Sequence, residues 1–142
     1  MARFRGCMFP MRAFFIMPNT DNDRLAKTLQ FETLESKFGS ARVRAIAKDE
    51  FLNGVNIAHG GFLFSLADFA SALATNTDER VAISSSASMN FLSPCPQDEV
   101  VIADAKITYS DAKTALVDVA VSSGNNGAIF AMFQSRVIFK KI

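Results

Sequence analysis

The sequence predicts an α+β fold, a curved antiparallel sheet of about six strands wrapped around one central helix. Three observations lead there. Residues from about 61 to 75 are apolar nearly all round a helical circumference, the pattern of a buried helix. After them the hydrophobic period falls to two, through four long segments that end near Phe139. Ahead of them, two shorter segments flank Gly39-Ser40 as a hairpin.

Taken in order, residues 1–18 carry Arg3, Arg5 and Arg12 with no acid, and many Phe and Met residues. Pro10 and Arg12 interrupt the apolar core that a secretory signal needs, and the segment is not Ser-rich as a transit peptide would be. It is expected to be an irregular N-terminal extension of a cytoplasmic domain spanning 19–142. Thr20-Asp21-Asn22-Asp23 is a capping box opening a short helix through about Leu29. Segments 31–37 and 41–47 form the hairpin; in the second, Val43, Ala45 and Ala47 alternate with Arg42 and Arg44. Periodicity then vanishes over 48–60, where Asn and Gly collect in a loop leading into the helix. Within the helix the few polar positions, Ser65, Asp68, Ser71 and Thr75, recur at spacings of three and four. They form a narrow stripe that is expected to face a cleft or an interface. Beyond it come a strand through Val81 and Phe91, the Pro94-Cys95-Pro96 break, strands through Val101–Tyr109 and Ala115–Val121, a Gly124–Gly127 turn and a last strand over 129–139. Short turns between them predict an antiparallel meander. Such a sheet leaves two edges open, so a homodimer or a dimer-of-dimers tetramer is expected.

Composition narrows the function classes. A chain of 142 residues is one domain with a sizeable core, 49% hydrophobic, with 14 Phe and no Trp. Net charge is +1 and the basic residues form no stripe, so no nucleic-acid partner is expected. No run is long enough to span a bilayer, and no membrane partner is expected. Cys7 and Cys95 lack metal-ligand spacing and read as free thiols.

The chemistry concentrates between Asn53 and Asp68. A lone carboxylate in an apolar helix is costly unless something holds it, and partial burial raises its pKa and its basicity. Asp68 is therefore the candidate base or nucleophile, against a bland alternative in which it only fixes packing. Gly60 and Gly61 stand at the helix start, where unpaired N–H groups and the positive end of the helix dipole can hold a developing oxyanion. His59, the only histidine, has no partner at metal-ligand spacing and could orient the loop or bond a carbonyl. Asn53 could position a water or a carbonyl, or be a turn residue. Ser84, Ser86 and Ser88 lack a His-Asp partner and a nucleophile-elbow context, and read as lining one strand face. The set suits addition of water to an activated carbonyl such as a thioester.

Asn53-x5-His59-Gly60-Gly61-x2-Phe64-x-Leu66-Ala67-Asp68 resembles the signature of hotdog-fold acyl-CoA thioesterases of the PaaI-like, phenylacetate-degradation branch. The likeness extends from about Asp21 to Phe139 and includes Asn90-Phe91-Leu92-Ser93-Pro94. The resemblance implies a hotdog fold and hydrolysis of an acyl-CoA, aromatic or medium-chain, with no cofactor because CoA is part of the substrate. It implies Asp68 as base or nucleophile, Gly60 N–H on the thioester carbonyl with His59 in support, and Asn53 positioning carbonyl or water. It assigns Gly61, Phe64, Phe69, Ser84 and Asn90 to substrate binding, and it divides the site across a dimer interface. Two positions depart from the family pattern: Phe69 stands where a small hydroxyl residue is common, and Ser93 where an Arg suited to CoA phosphates is common. Lys140 and Lys141 could compensate for the latter. The alternatives are a non-catalytic acyl-CoA-binding module, and a hotdog hydratase, which the His-before-Asp order fits poorly.

Overall fold

The computed structural model describes residues 22–141. The segment 1–18 and the Thr20 and Asp21 of the expected capping box lie outside them, as does Cys7. Helix α1 (Arg24–Thr28) begins later than expected, and its cap is Asp23, whose carboxylate accepts from the Ala26 N–H at 2.9 Å. Strands β1 (Glu32–Lys37) and β2 (Ser40–Ile46) form the hairpin, turning at Gly39 with φ of 103°, a conformation open to glycine. A single 3-10 turn (Asp49–Phe51) interrupts the loop before helix α2 (Gly60–Thr75). Strands β3 (Arg80–Phe91), β4 (Val100–Ser110), β5 (Thr114–Ser123) and β6 (Ile129–Lys141) follow.

All six strands join one antiparallel sheet in the order β1-β2-β4-β5-β6-β3. Only β4-β5-β6 is a meander. Strand β3 lies at the far edge beside β6, not beside β4 as expected, and the reason is its connection to β4. The link after Phe91 holds Pro94 and Pro96 and spends its backbone groups elsewhere. Leu92 N–H donates to Phe130, Cys95 C=O accepts from Ala58, and Asp98 N–H donates to Ala47. It straps across the helix start and delivers β4 to β2.

The sheet wraps α2 because the two surfaces are shaped for it. Beneath the helix the sheet offers small residues, Ala41, Val43, Ala45, Val101, Ala103, Ala105, Val117 and Val119, all buried. The helix brings the bulk, with Phe62, Leu63, Leu66, Phe69 and Leu73 buried. Irregular register in β1, β3, β4 and β6 adds curvature. The polar stripe divides. Ser71 and Thr75 face neither cleft nor interface but are fully buried; the Ser71 and Ser135 hydroxyls bond at 2.8 Å, and the Thr75 hydroxyl donates to the Ser71 carbonyl at 2.8 Å. Each finds a partner inside the core, so burial is tolerated. Only Ser65 and Asp68 remain partly accessible. No helix among the described residues is long and apolar enough to cross a membrane.

Leu66, fully buried between helix and sheet, tests this packing. Leu66→Ala is expected to lower unfolding stability by about 2–5 kcal/mol, read from the urea midpoint at unchanged slope.

Candidate functional site

The loop before α2 is built around Asn53. Its side-chain carbonyl accepts from the Val55 and Ile57 N–H groups at 3.0 and 3.3 Å, its own N–H donates to Ile57 C=O, and Leu52 and Ala58 form an isolated bridge. Asn53 is thus a turn organiser whose residue also lines a cavity. His59 then caps the helix: its Nδ1 accepts from the Gly61 N–H at 2.8 Å. That bond leaves Nδ1 without a proton. It also removes Gly61 from the expected pair of oxyanion donors, since its N–H already has an acceptor. No group among the described residues accepts from Gly60 N–H.

Gly60 lines a cavity of about 440 Å³ with Asn53, Ile57, Ala58, Leu63 and the 91–95 segment. A Cβ on Gly60 would meet the tip of the exposed Phe91 ring at 3.0 Å, a tight contact that glycine avoids. Cys95 at the cavity wall is no nucleophile. Its thiol is buried and its pKa is pushed up to about 12, first by burial and then by the Glu99 charge.

Asp68 lies eight residues along α2 from Gly60, about 12 Å at the helical rise. Its carboxylate accepts from the Ser84 hydroxyl at 3.4 Å. Burial raises its pKa above the ordinary value of 3.8; the Ser84 bond lowers it, and the Asp23 charge raises it further. Ser84 reaches this position through an irregularity in β3. It pairs with inward-facing Val137, while Ser86 pairs with outward Arg136, so the register slips between them. Ser84, Ser86 and Ser88 therefore do not share one face, contrary to simple alternation.

The expected site residues thus fall into three groups within one chain. Asn53 and Gly60 share the larger cavity. His59 and Gly61 line a separate hollow of about 250 Å³ beside Phe51 and Phe62. Asp68, Phe64 and Phe69 share a third of about 90 Å³, with Phe31, Leu25 and Asp23. Asn90 joins none of them: it pairs with Met132 on the outer face of the sheet and is exposed. Two features escaped sequence reasoning. The wall formed by Phe91 to Cys95 was signalled only by the Pro94-Cys95-Pro96 break, and nothing local tied Asp23 to Asp68.

The chain matches the family described as the Thioesterase superfamily over residues 55–133, more than half its length. It is similar to the acyl-coenzyme A thioesterase PaaI of Escherichia coli K12, 30% identical over 116 residues, 82% of each protein. Among solved structures, the Escherichia coli PaaI protein aligns at 28% identity with a TM-score of 0.80, covering 93% of this chain and 90% of that one. A point mutant of the phenylacetic acid degradation protein PaaI from Thermus thermophilus aligns at 33% identity with a TM-score of 0.77, covering 82% and 98%. These matches, with the sheet that wraps one long helix, place the chain in the thioesterase superfamily, with the hotdog fold.

Proposed function

We propose that this protein hydrolyses the thioester bond of an acyl-CoA to the free acid and CoA, at a site completed by two copies of the chain. The observation that carries the reading is a carboxylate held half-buried, with a raised pKa and a hydroxyl partner, on the same helix whose first N–H is free. Gly60 N–H, at the positive helix end, polarises the thioester carbonyl. Asp68 takes a proton from water as the oxygen adds to the carbonyl carbon, or attacks it directly to form an acyl–Asp68 anhydride that water hydrolyses once CoA has left. The tetrahedral adduct then collapses, the C–S bond breaks, and CoA leaves as thiolate and gains a proton. The 440 Å³ cavity lined by Gly60 and Phe91 suits the pantetheine arm. CoA is substrate, and the reaction needs no resident cofactor. His59 supports the step through the helix cap, and Ser84 through its bond to Asp68.

The two-copy arrangement rests on distance and on edges. At about 12 Å along one helix, Gly60 and Asp68 of one chain are too far apart to serve one carbonyl. Strand β1, one edge of the sheet, carries Glu32, Glu35 and Lys37, which discourage pairing. Strand β3, the other edge, has no charge from Val81 to Phe91 and leaves Ile83 and Phe91 exposed. A second β3 paired antiparallel there brings the partner's helix alongside. A homodimer, or a tetramer of two such dimers, follows.

Thiol release from a panel of acyl-CoAs tests the activity, and Asp68→Asn is expected to lower it at least about a hundredfold. If an acyl-CoA binds tightly but none is cleaved, the chain is a binding module instead. The pH dependence has a definite sign. The base must be ionised, so the rate falls as pH drops through a pKa above 3.8. The folded state also holds this proton more tightly than the unfolded chain. Stability is then lost as pH rises from the ordinary Asp value through the raised one, and Asp68→Asn is expected to raise the melting temperature at neutral pH. A lower melting temperature would contradict the burial argument. Sharing of the site is tested by mixing: Asn53→Ala and Asp68→Asn chains, unfolded and refolded together, should recover roughly a quarter of wild-type activity through heterodimers. Recovery of none would place the whole site in one chain.

A further inference from the structure

The three hollows along α2 differ sharply in size, about 440 Å³ beside Gly60, about 250 Å³ beside His59 and about 90 Å³ beside Asp68. If the largest takes the CoA arm, as the thioesterase reading requires, the acyl arm extends past Asp68 of the second copy into the smallest, the hollow that this carboxylate lines. An apolar cavity of about 150 Å³ is what a benzene ring occupies, and one water-sized unit takes about 30 Å³. The hollow beside Asp68 is smaller than that and has room for about three such units.

Its walls are held from behind. Phe69 packs on Phe31 with centroids 5.9 Å apart, Phe31 on Phe62 at 6.0 Å, and Phe62 stacks on Phe51 at 5.1 Å. Phe69 and Phe62 are buried, so the end wall sits on a continuous aromatic row and cannot swing aside alone. Phe64, also in the lining, is braced edge-on against Phe133 at 5.1 Å. Leu25 and Asp23 add to the lining from α1, which is tied down by the Asp23 cap and by a bond from Phe31 N–H to Ala26 C=O. The Asp23 carboxylate at this rim repels an acyl group that is itself anionic.

We infer that Phe69, backed by Phe31, sets the acyl range of the site, admitting short uncharged acyl groups of about two to four carbons and excluding rings and medium chains. The inference rests on the thioesterase reading and runs against the aromatic or medium-chain group that the family resemblance implies. Phe69 stands where a small residue would leave the pocket open toward Phe31.

The test is the kcat/KM profile of the full chain over acetyl-, butyryl-, octanoyl-, phenylacetyl- and succinyl-CoA, for the wild type and two variants. The wild type is expected to favour butyryl-CoA at least about tenfold over octanoyl- and phenylacetyl-CoA, the scale of discrimination a hydrophobic pocket achieves per misfit group. Phe69→Leu, which keeps an apolar side chain in the core, should narrow that ratio about tenfold or more. Leu25→Ala, at a half-exposed position where truncation costs little stability, should move it the same way. A ratio of rates between substrates is insensitive to a general loss of folded protein. Wild-type turnover of octanoyl- or phenylacetyl-CoA equal to that of butyryl-CoA overturns the inference and leaves the thioesterase reading intact. So does an unchanged ratio in folded Phe69→Leu or, should that variant not fold, in Leu25→Ala. Absence of thiol release from every acyl-CoA overturns the thioesterase reading, and the inference with it.

Discussion

Helix α2 is enclosed on nearly every side and yet carries a carboxylate, and most of the molecule can be understood as a response to that constraint. The sheet curves because small residues beneath the helix let it nest while the helix supplies the bulk. The hydroxyls of Ser71 and Thr75 are satisfied inside the core, one by Ser135 and one by the helix backbone. Asp68 is left half-accessible, with a single hydroxyl donor and a neighbouring negative charge, an environment that keeps the carboxylate more basic than in water. A base of raised pKa is useful to a hydrolase and costly to a fold. The same burial therefore supplies reactivity and costs stability.

The helix start answers a different demand. The His59 cap uses the Gly61 N–H and orients the loop, so the Gly60 N–H is presented with its neighbours already satisfied. Separating this donor from Asp68 by two helical turns makes one chain insufficient for the proposed chemistry, and the uncharged edge of β3 offers a route to the missing half. Function and assembly are then coupled through one strand: Ser84 faces inward to Asp68, while Ser86 and Ser88, after the register slip, face out along the same edge.

Much of this was legible in the sequence because it is periodic or local. A helix apolar all round, strands of period two, and glycines beside the only histidine announce themselves without tertiary information, and the composite spacing from Asn53 to Asp68 points to one chemistry where each residue alone would not. The elements that resisted reading depend on what lies opposite. Ser71 and Thr75 look like part of an accessible stripe until Ser135 and the sheet are placed over them. Ser84 sides with Ser86 and Ser88 under strict alternation, and only the pairing of β3 with β6 reveals the slip between them. Asn90 has the right neighbours in sequence but the wrong side of the strand.

The sequence by itself determined the class of fold, the position of the buried helix and the identity of the carboxylate upon it, because hydrophobic periodicity and an unpaired acid are properties of consecutive residues. The tertiary structure decided where β3 sits, since the proline-bearing link from Phe91 spends its hydrogen bonds across the helix start and cannot form a hairpin with β4. It also decided which N–H remains free at that start, and how little room the aromatic row leaves beside Asp68. Those are distances between residues remote in the chain, and no local pattern encodes them.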